Sequence, residues 1–200
     1  MRKVLPLFLL LIAAGCGSGG GGPKAQVGVS DVPAKLQQDL ICYMEQTDST
    51  GKTVYLEEEP TAKSVTFTLK YSSLCPSSFT TKEQDLIFEG CSVSVVPVSK
   101  LPDEMKSQEF LKEMAQEITC TADDVVAGGS ANGRVSLTAA LVDLMKTEYT
   151  KYKSYAPFLY KVNVTFKFSS NCSDGTIERT VSIPVEFSNF VENSNDLCQQ

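Results

Sequence analysis

Residues 64–71, Ser-Val-Thr-Phe-Thr-Leu-Lys-Tyr, alternate strictly between apolar and polar side chains. The four apolar residues fall on one face of an extended chain, and the threonines and the lysine fall on the other. A period of two is typical of a β-strand with one buried face. The stretch therefore predicts a strand that gives every second side chain to a core.

A second stretch, residues 162–172, resembles residues 65–75 position by position. The two share V, T, K, S, S and C at equivalent positions, and each ends in a cysteine, Cys75 or Cys172. If this is a true internal repeat, the chain is a tandem β-sandwich with its break near Leu101. The alternative is that strands rich in Ser and Thr resemble each other by chance.

Other segments divide between strand and helix. Strands are predicted at residues 53–56, 92–98, 162–168 and 179–187 from their β-branched and alternating composition. Residues 103–118 predict a helix, because their apolar residues form one stripe at helical spacing. The pattern of residues 135–149 suits a strand in its first half and leaves helix or strand open in its second.

Residues 31–45 also leave two structures open. Val32, Leu36, Leu40 and Ile41 have helix-like spacing, whereas residues 40–44 equally suit a strand.

The N-terminus has the pattern of an export signal. Two basic residues, Arg2 and Lys3, precede the apolar run 4–14 and the small residues Ala13-Ala14-Gly15. This order defines a secretory signal, and the run is shorter than the roughly 20 residues that span a bilayer. Cleavage near residue 14 or 15 by an ordinary signal peptidase is one interpretation.

The residue after Ala14-Gly15 supports a second interpretation. Ala-Gly-Cys16 resembles the lipobox of bacterial lipoproteins. The resemblance implies that Cys16 becomes the first mature residue and carries acyl chains such as palmitate. Gly17 rather than Asp follows, which in that family favours the outer membrane over the inner one.

These observations give a domain organisation. Residues 1–15 are predicted to be the signal peptide, and residues 16–30 the lipidated cysteine with a flexible Gly-rich linker. Residues 31–101 would form a first β module and residues 102–200 a second.

The composition restricts the functions open to the chain. The formal net charge is −6 and there is no histidine or tryptophan. An acidic chain disfavours nucleic acid as a partner. Without histidine the commonest general base and metal ligand are missing, so we predict no catalytic residues, no metal and no cofactor.

Seven cysteines agree with lipidation in an oxidising compartment. With Cys16 assigned to lipid, an even number remains, which favours three disulfides. The rival, a zinc site, lacks any C-x2-C spacing. Symmetry of the two halves suggests the pairs Cys42–Cys75, Cys120–Cys172 and a crossing Cys91–Cys198.

That pairing is one choice among several. A local Cys75–Cys91 bridge is the rival, and the spacing cannot select between them.

Four motifs in the second half carry a further resemblance: Ile118-Thr-Cys-Thr-Ala-Asp, Gly128-Gly-Ser, Val135-Ser-Leu-Thr-Ala-Ala-Leu-Val-Asp and Val162-Asn-Val-Thr-Phe. Together they resemble bacterial Ig-like domains of the invasin/intimin type. The resemblance implies β-sandwich modules used for adhesion, spacing or binding at cell surfaces. The expected fold is thus mainly β, with tandem Ig-like sandwiches, one or two short helices and disulfides.

One segment has the composition of a contact surface. Five aromatic residues alternate with lysines, a combination that favours protein contacts: Tyr149, Tyr152, Tyr155, Phe158 and Tyr160. Packing of an inserted segment onto the sandwich is the alternative.

The sequence as a whole predicts a lipid-anchored cell-envelope protein that binds, adheres or spaces at the cell surface. Its partners would be the membrane, through the lipid, and another envelope or surface macromolecule. A structural accessory subunit of an envelope complex is the second interpretation. A hydrolytic enzyme comes third, since nothing resembles an acid/base pair.

Overall fold

The computed structural model describes residues 26–72 and 78–189, and this part of the chain is mainly β. Its elements in order are β1 (Gln26–Ser30), β2 (Leu36–Asp39), β3 (Cys42–Thr47), β4 (Thr53–Glu58), β5 (Ser64–Ser72), β6 (Ile87–Pro97), α1 (Gln108–Gln116), β7 (Ile118–Ala122), β8 (Ser130–Leu137), α2 (Ala139–Tyr152), β9 (Phe158–Ser170) and β10 (Ser173–Ser188). Short 3-10 turns occupy Thr81–Gln84, Glu104–Lys106 and Lys153–Tyr155.

Eight strands form two four-stranded sheets. The first sheet has the order β1-β5-β8-β7 and the second the order β2-β10-β9-β6. All neighbours pair antiparallel except β2, which runs parallel to β10. This order matches the two sheets of an immunoglobulin-like sandwich. The hairpin β3–β4 and the helices α1 and α2 are insertions between framework strands.

The two sheets do not follow the predicted division near Leu101. The mainly β class with short helices is confirmed, but each sheet takes strands from both sides of that residue. The buried apolar side chains of both sheets also belong to one continuous cluster. The arrangement is therefore one interleaved sandwich rather than two modules in tandem.

The similar stretches at 65–75 and 162–172 have a physical explanation in this arrangement. They overlap β5 and β9, each an inner strand of its sheet. Both strands bury every second side chain against the same core. Their shared alternation thus reflects the same position in facing sheets.

The first strand begins earlier than predicted. Residues 26–30, assigned to the linker, form β1 and pair with β5 from Gln26↔Ser72 to Ser30↔Thr68. Val27 is buried in the core, which stabilises this pairing. Residues 1–25 lie outside the described residues, so the signal peptide, the lipidated cysteine and the shortened linker stay predictions.

Two regions left open by the sequence are now defined. Residues 31–45 form the strands β2 and β3 rather than a helix. Residues 135–149 divide at Thr138, which lies between the end of β8 at Leu137 and the start of α2 at Ala139. The Thr138 hydroxyl accepts a hydrogen bond from the backbone N–H of Leu141, an N-cap that fixes the start of the helix.

The predicted helix at 103–118 is confirmed in its central part. It is α1, and the Ser107 hydroxyl caps it by accepting from the N–H of Phe110. Met114 on its apolar stripe is fully buried, and α1 packs beside β6 and β7.

One disulfide, Cys91–Cys120, joins β6 to β7. These are edge strands of the two different sheets, so the bond closes one side of the sandwich. The expectation that one bridge crosses between the halves is confirmed. The pairs Cys91–Cys198, Cys120–Cys172 and Cys75–Cys91 are wrong, because Cys91 and Cys120 bind each other.

The other cysteines are partly described. Cys42 and Cys172 are each disulfide-bonded. Cys75 and Cys198 lie outside the described residues, and the predicted Cys42–Cys75 pair stays a prediction.

The centre of the core is an aromatic contact between the sheets. The rings of Phe67 on β5 and Phe166 on β9 meet edge to face, with centroids 5.4 Å apart. Phe67 lies opposite Gly133 of β8, and a Cβ at Gly133 would come 2.8 Å from Cζ of Phe67. Glycine at 133 therefore provides the space that the Phe67 ring fills.

We predict that Gly133→Ala lowers the free energy of unfolding by ~1–3 kcal/mol, because the added methyl group overpacks the core. Combining it with Phe67→Leu should recover part of this loss, since the smaller side chain frees the space. Chemical denaturation of the single and double variants measures the coupling. Gly28→Ala is the control, because a Cβ there meets its neighbours only at 3.7 Å. Additive effects at positions 67 and 133 would contradict the prediction.

Candidate functional surface

The predicted aromatic surface is mostly buried. Tyr149, Phe158 and Tyr160 belong to the core, while Tyr152 is half-buried and Tyr155 is 49% exposed. The prediction of a contiguous exposed aromatic patch is therefore wrong, and the alternative of packing onto the sandwich holds for three of the five residues. A period-two pattern continues from Val162 back through Tyr160 and Phe158, and it could have placed both inside.

The buried aromatics attach the inserted segments to the sandwich. Tyr149 of α2 packs edge to face on Phe158, with centroids 6.2 Å apart. The Tyr160 hydroxyl donates to the carbonyl oxygen of Met105 over 3.2 Å, and Met105 is itself fully buried. Burial, assisted by the negative charge of Glu148, raises the pKa of Tyr160. These residues thus have a structural role.

The remaining exposed pair is small. Tyr152 and Tyr155 meet edge to face at 6.4 Å at the end of α2. The pKa of Tyr152 is raised, chiefly by desolvation and then by the nearby Glu104 and Glu148 carboxylates. Lys151 pairs with Glu148 over 2.7 Å. The two tyrosines thus present one exposed ring, that of Tyr155.

The sandwich has two distinct ends. We call the base the end where β1 begins, at Gln26 beside Ser72. The start of β8 and the turn between β9 and β10 lie at the same end. A backbone bridge between Leu86 and Val125 joins the loops there. The chain therefore enters the fold at the base.

We call the top the opposite end, where Ser64 pairs with Ser136 and Phe158 with Phe187. The hairpin β3–β4 and α2 are inserted there, because each interrupts the chain between strand ends at the top. Lys146 of α2 pairs with Glu57 of β4 over 3.0 Å. The top therefore consists of added elements that contact one another.

The hairpin tip has a defined shape. The Asp48 carboxylate accepts hydrogen bonds from the Thr50 hydroxyl and from the N–H groups of Thr50 and Lys52. These bonds, the Thr50 hydroxyl first, lower the pKa of Asp48. Gly51 has φ +82°, which glycine adopts without strain. Residues 48–51 therefore form a turn that presents exposed Ser49 and Thr50.

Acidic residues at the base have structural partners. Asp124 accepts from the N–H of Phe88 over 2.8 Å, and Asp85 accepts from the N–H of Ala127 over 3.0 Å. Each carboxylate thus holds a loop. Within residues 26–72 and 78–189, no three His, Cys, Asp or Glu side chains are grouped to hold a metal ion.

The two outer sheet faces differ in polarity. The outer face of the first sheet has polar side chains along β5 and β8, including Lys70 and Arg134. The outer face of the second sheet exposes Val96 by 46% and, just beyond β6, Val98 by 56%. The second face is therefore the better candidate for a contact surface.

Comparisons with known proteins assign no family. No family model matches the chain, and no curated protein is similar to it. One similar solved structure is AggA, the major subunit of aggregative adherence fimbriae type I from Escherichia coli. The identity is 9%, the TM-score 0.33, and the match covers 86% of this chain and 99% of AggA. Values this low carry no conclusion about function.

No helix in the described part of the chain is both long and apolar enough to cross a membrane.

We predict that Tyr160→Phe destabilises the protein by ~1–3 kcal/mol, because it leaves the buried Met105 carbonyl without its donor. Chemical denaturation measures the loss. Tyr155→Phe is the matched control and should change stability by less than about 0.5 kcal/mol, as exposed substitutions usually do. Equal effects of the two variants would contradict a structural role for the Tyr160 hydroxyl.

Proposed function

We propose that this chain is a lipid-anchored protein of the cell envelope that binds, adheres or spaces at the cell surface. The anchor is Cys16, and the working surface is the top of the sandwich. The observation that carries the proposal is that the chain enters at the base, opposite the inserted hairpin and helix.

The length of the tether supports this orientation. From Cys16 to Gln26 is 26 − 16 = 10 residues, rich in glycine. A flexible chain of this length has an r.m.s. span of about 16–19 Å. The 13 residues of β9 alone extend about 43 Å at roughly 3.3 Å per residue. The tether therefore holds the base near the lipid and leaves the top beyond it.

The composition of the top supports contact rather than catalysis. Its hairpin tip presents hydroxyl groups, and its exposed apolar and aromatic residues include Leu56, Val98 and Tyr155. The chain has no histidine. A tether of this kind, together with a top that carries both polar and apolar groups, suits a partner that approaches from solution or from another surface.

An accessory role in an envelope complex is the second candidate. The exposed Val96 and Val98 favour it, because exposed apolar side chains that lie together often mark a protein contact. In that role the protein would be recovered in a stable stoichiometric complex from solubilised envelopes.

Metabolic labelling with radioactive palmitate tests the anchor. The wild-type chain should incorporate label and sediment with membranes, whereas Cys16→Ala should do neither, because the thiol that receives the lipid is lost. Ser18→Ala, in the linker, is the matched control and should label normally. A Cys16→Ala variant that still labels would exclude Cys16 as the lipid site.

Antibody access tests the orientation. An epitope inserted between Ser49 and Thr50 at the top should bind antibody fragments on intact membranes. The same epitope between Val126 and Ala127 at the base should bind far less, because the membrane obstructs it. Both should bind equally in detergent. Equal binding on membranes would contradict the proposed orientation.

A further inference from the structure

The outer face of the second sheet has an ordered pattern of charge. Side chains alternate along each strand, and outward positions of β9 carry Lys161 and Lys167. Outward positions of β10 carry Glu178 and Glu186. One strand is thus positive and its neighbour negative, on a chain whose formal net charge is −6.

The charged residues are only partly compensated within the molecule. Lys167 and Glu178 are 3.4 Å apart, and each keeps about half of its side chain exposed. Glu186 is paired with Lys35. Lys161 is exposed and has no ion pair in residues 26–72 or 78–189. The exposed parts of these groups can therefore attract an opposite charge from outside.

The middle of the face is flat and internally hydrogen-bonded. The hydroxyls of Thr165 and Thr180 lie 2.8 Å apart, and Ser182 donates to Asn163 over 2.6 Å. Short side chains whose polar groups already bond one another lose little hydration when they are covered. This centre can be buried at low cost.

An apolar corner lies at the top of the same face. Val96 stands in one row with Lys161 and Pro184 across the sheet. In the next row, Val98 donates its N–H to the carbonyl of Leu159. Covering these side chains would remove apolar surface from water, which favours association.

We propose that this face binds the same face of a second copy. The two-fold axis lies between the two faces, runs parallel to the strands, and is level with the gap between β9 and β10. Rotation about this axis places the lysine-bearing strand of each copy against the glutamate-bearing strand of the other. Such an isologous contact is the usual arrangement of homodimers. Lys167 of each copy then faces Glu178 of the other.

This axis also gives the two copies the same orientation. Because it runs along the strands, both bases point one way and both tops the other. The contact itself depends only on the face and not on lipid attachment. It is nevertheless compatible with two tethers in one membrane.

The size of the face indicates a weak dimer. The two strands that face their counterparts across the axis, β9 and β10, at about 4.8 Å spacing and over 11 residues at roughly 3.3 Å, give about 350 Å² per copy. The total of about 700 Å² is below the usual range for specific interfaces. The outer face of the first sheet is less suited, because Ser130 and Thr66, the residues paired with its Lys70 and Arg134, carry no opposite charge.

Sedimentation velocity of the mature chain, residues 17–200 exported behind a cleavable signal, tests the proposal without the lipid. The wild type should show a concentration-dependent monomer–dimer equilibrium. Lys167→Glu alone and Glu178→Lys alone should each weaken dimerisation about tenfold, since attraction becomes repulsion at both symmetry-related contacts. An equimolar mixture of the two variants should restore it, because opposite charges face again.

Restoration also shows that both variants are folded. Lys70→Glu and Arg134→Glu on the other sheet are the matched controls and should leave dimerisation unchanged. A chain that stays monomeric, single variants that dimerise normally, a mixture without restoration, or assemblies larger than a dimer would each overturn the proposal. Palmitate labelling is unaffected by any of these results, so failure here is distinct from failure of the anchor.

Discussion

The structure depends on how the two sheets fill the space between their inner strands. Immunoglobulin domains commonly join these strands by a disulfide. Here Phe67 and Phe166 occupy the centre and meet edge to face. The Phe67 ring fits only because Gly133 leaves room beside it. The pairing register of β5 with β8 in the first sheet thus depends on glycine at position 133.

The disulfide that the structure does show has a different role. Cys91–Cys120 lies at the side of the sandwich, between edge strands of the two sheets. Edge strands are where a sandwich opens or pairs with other chains. A covalent bond there, with α1 packed alongside, limits that opening. The centre can then consist of apolar side chains alone.

The sequence was informative where one pattern governs a whole element. The alternation in β5 and β9 predicted both strands and their buried faces, and the stripe around Met114 predicted α1. It was misleading where two strands with the same pattern occupy different sheets. The similar alternation of residues 65–75 and 162–172 suggested an internal repeat, although β5 and β9 face each other across one core. Strand pairing depends on contacts distant in the chain, which periodicity does not encode.

The functional surface was harder to predict for the same reason. Tyr160 and Phe158 stand among lysines, but their spacing continues the inward face of β9. The cysteine pairs required the distance between β6 and β7, which only the fold supplies. The charged strips on β9 and β10 become visible only when the two strands are placed side by side.

The pairing of β1 has a mechanical consequence. Gln26 is both the first residue of β1 and the point where the chain enters the base. A pull on the preceding chain, directed away from the base, acts along the strand and therefore in shear. All five residue pairs between Gln26↔Ser72 and Ser30↔Thr68 share this load at once. A force across the strands would instead peel β1 away and break these pairs one after another. The fold therefore resists a pulling force best when the force acts along the strands.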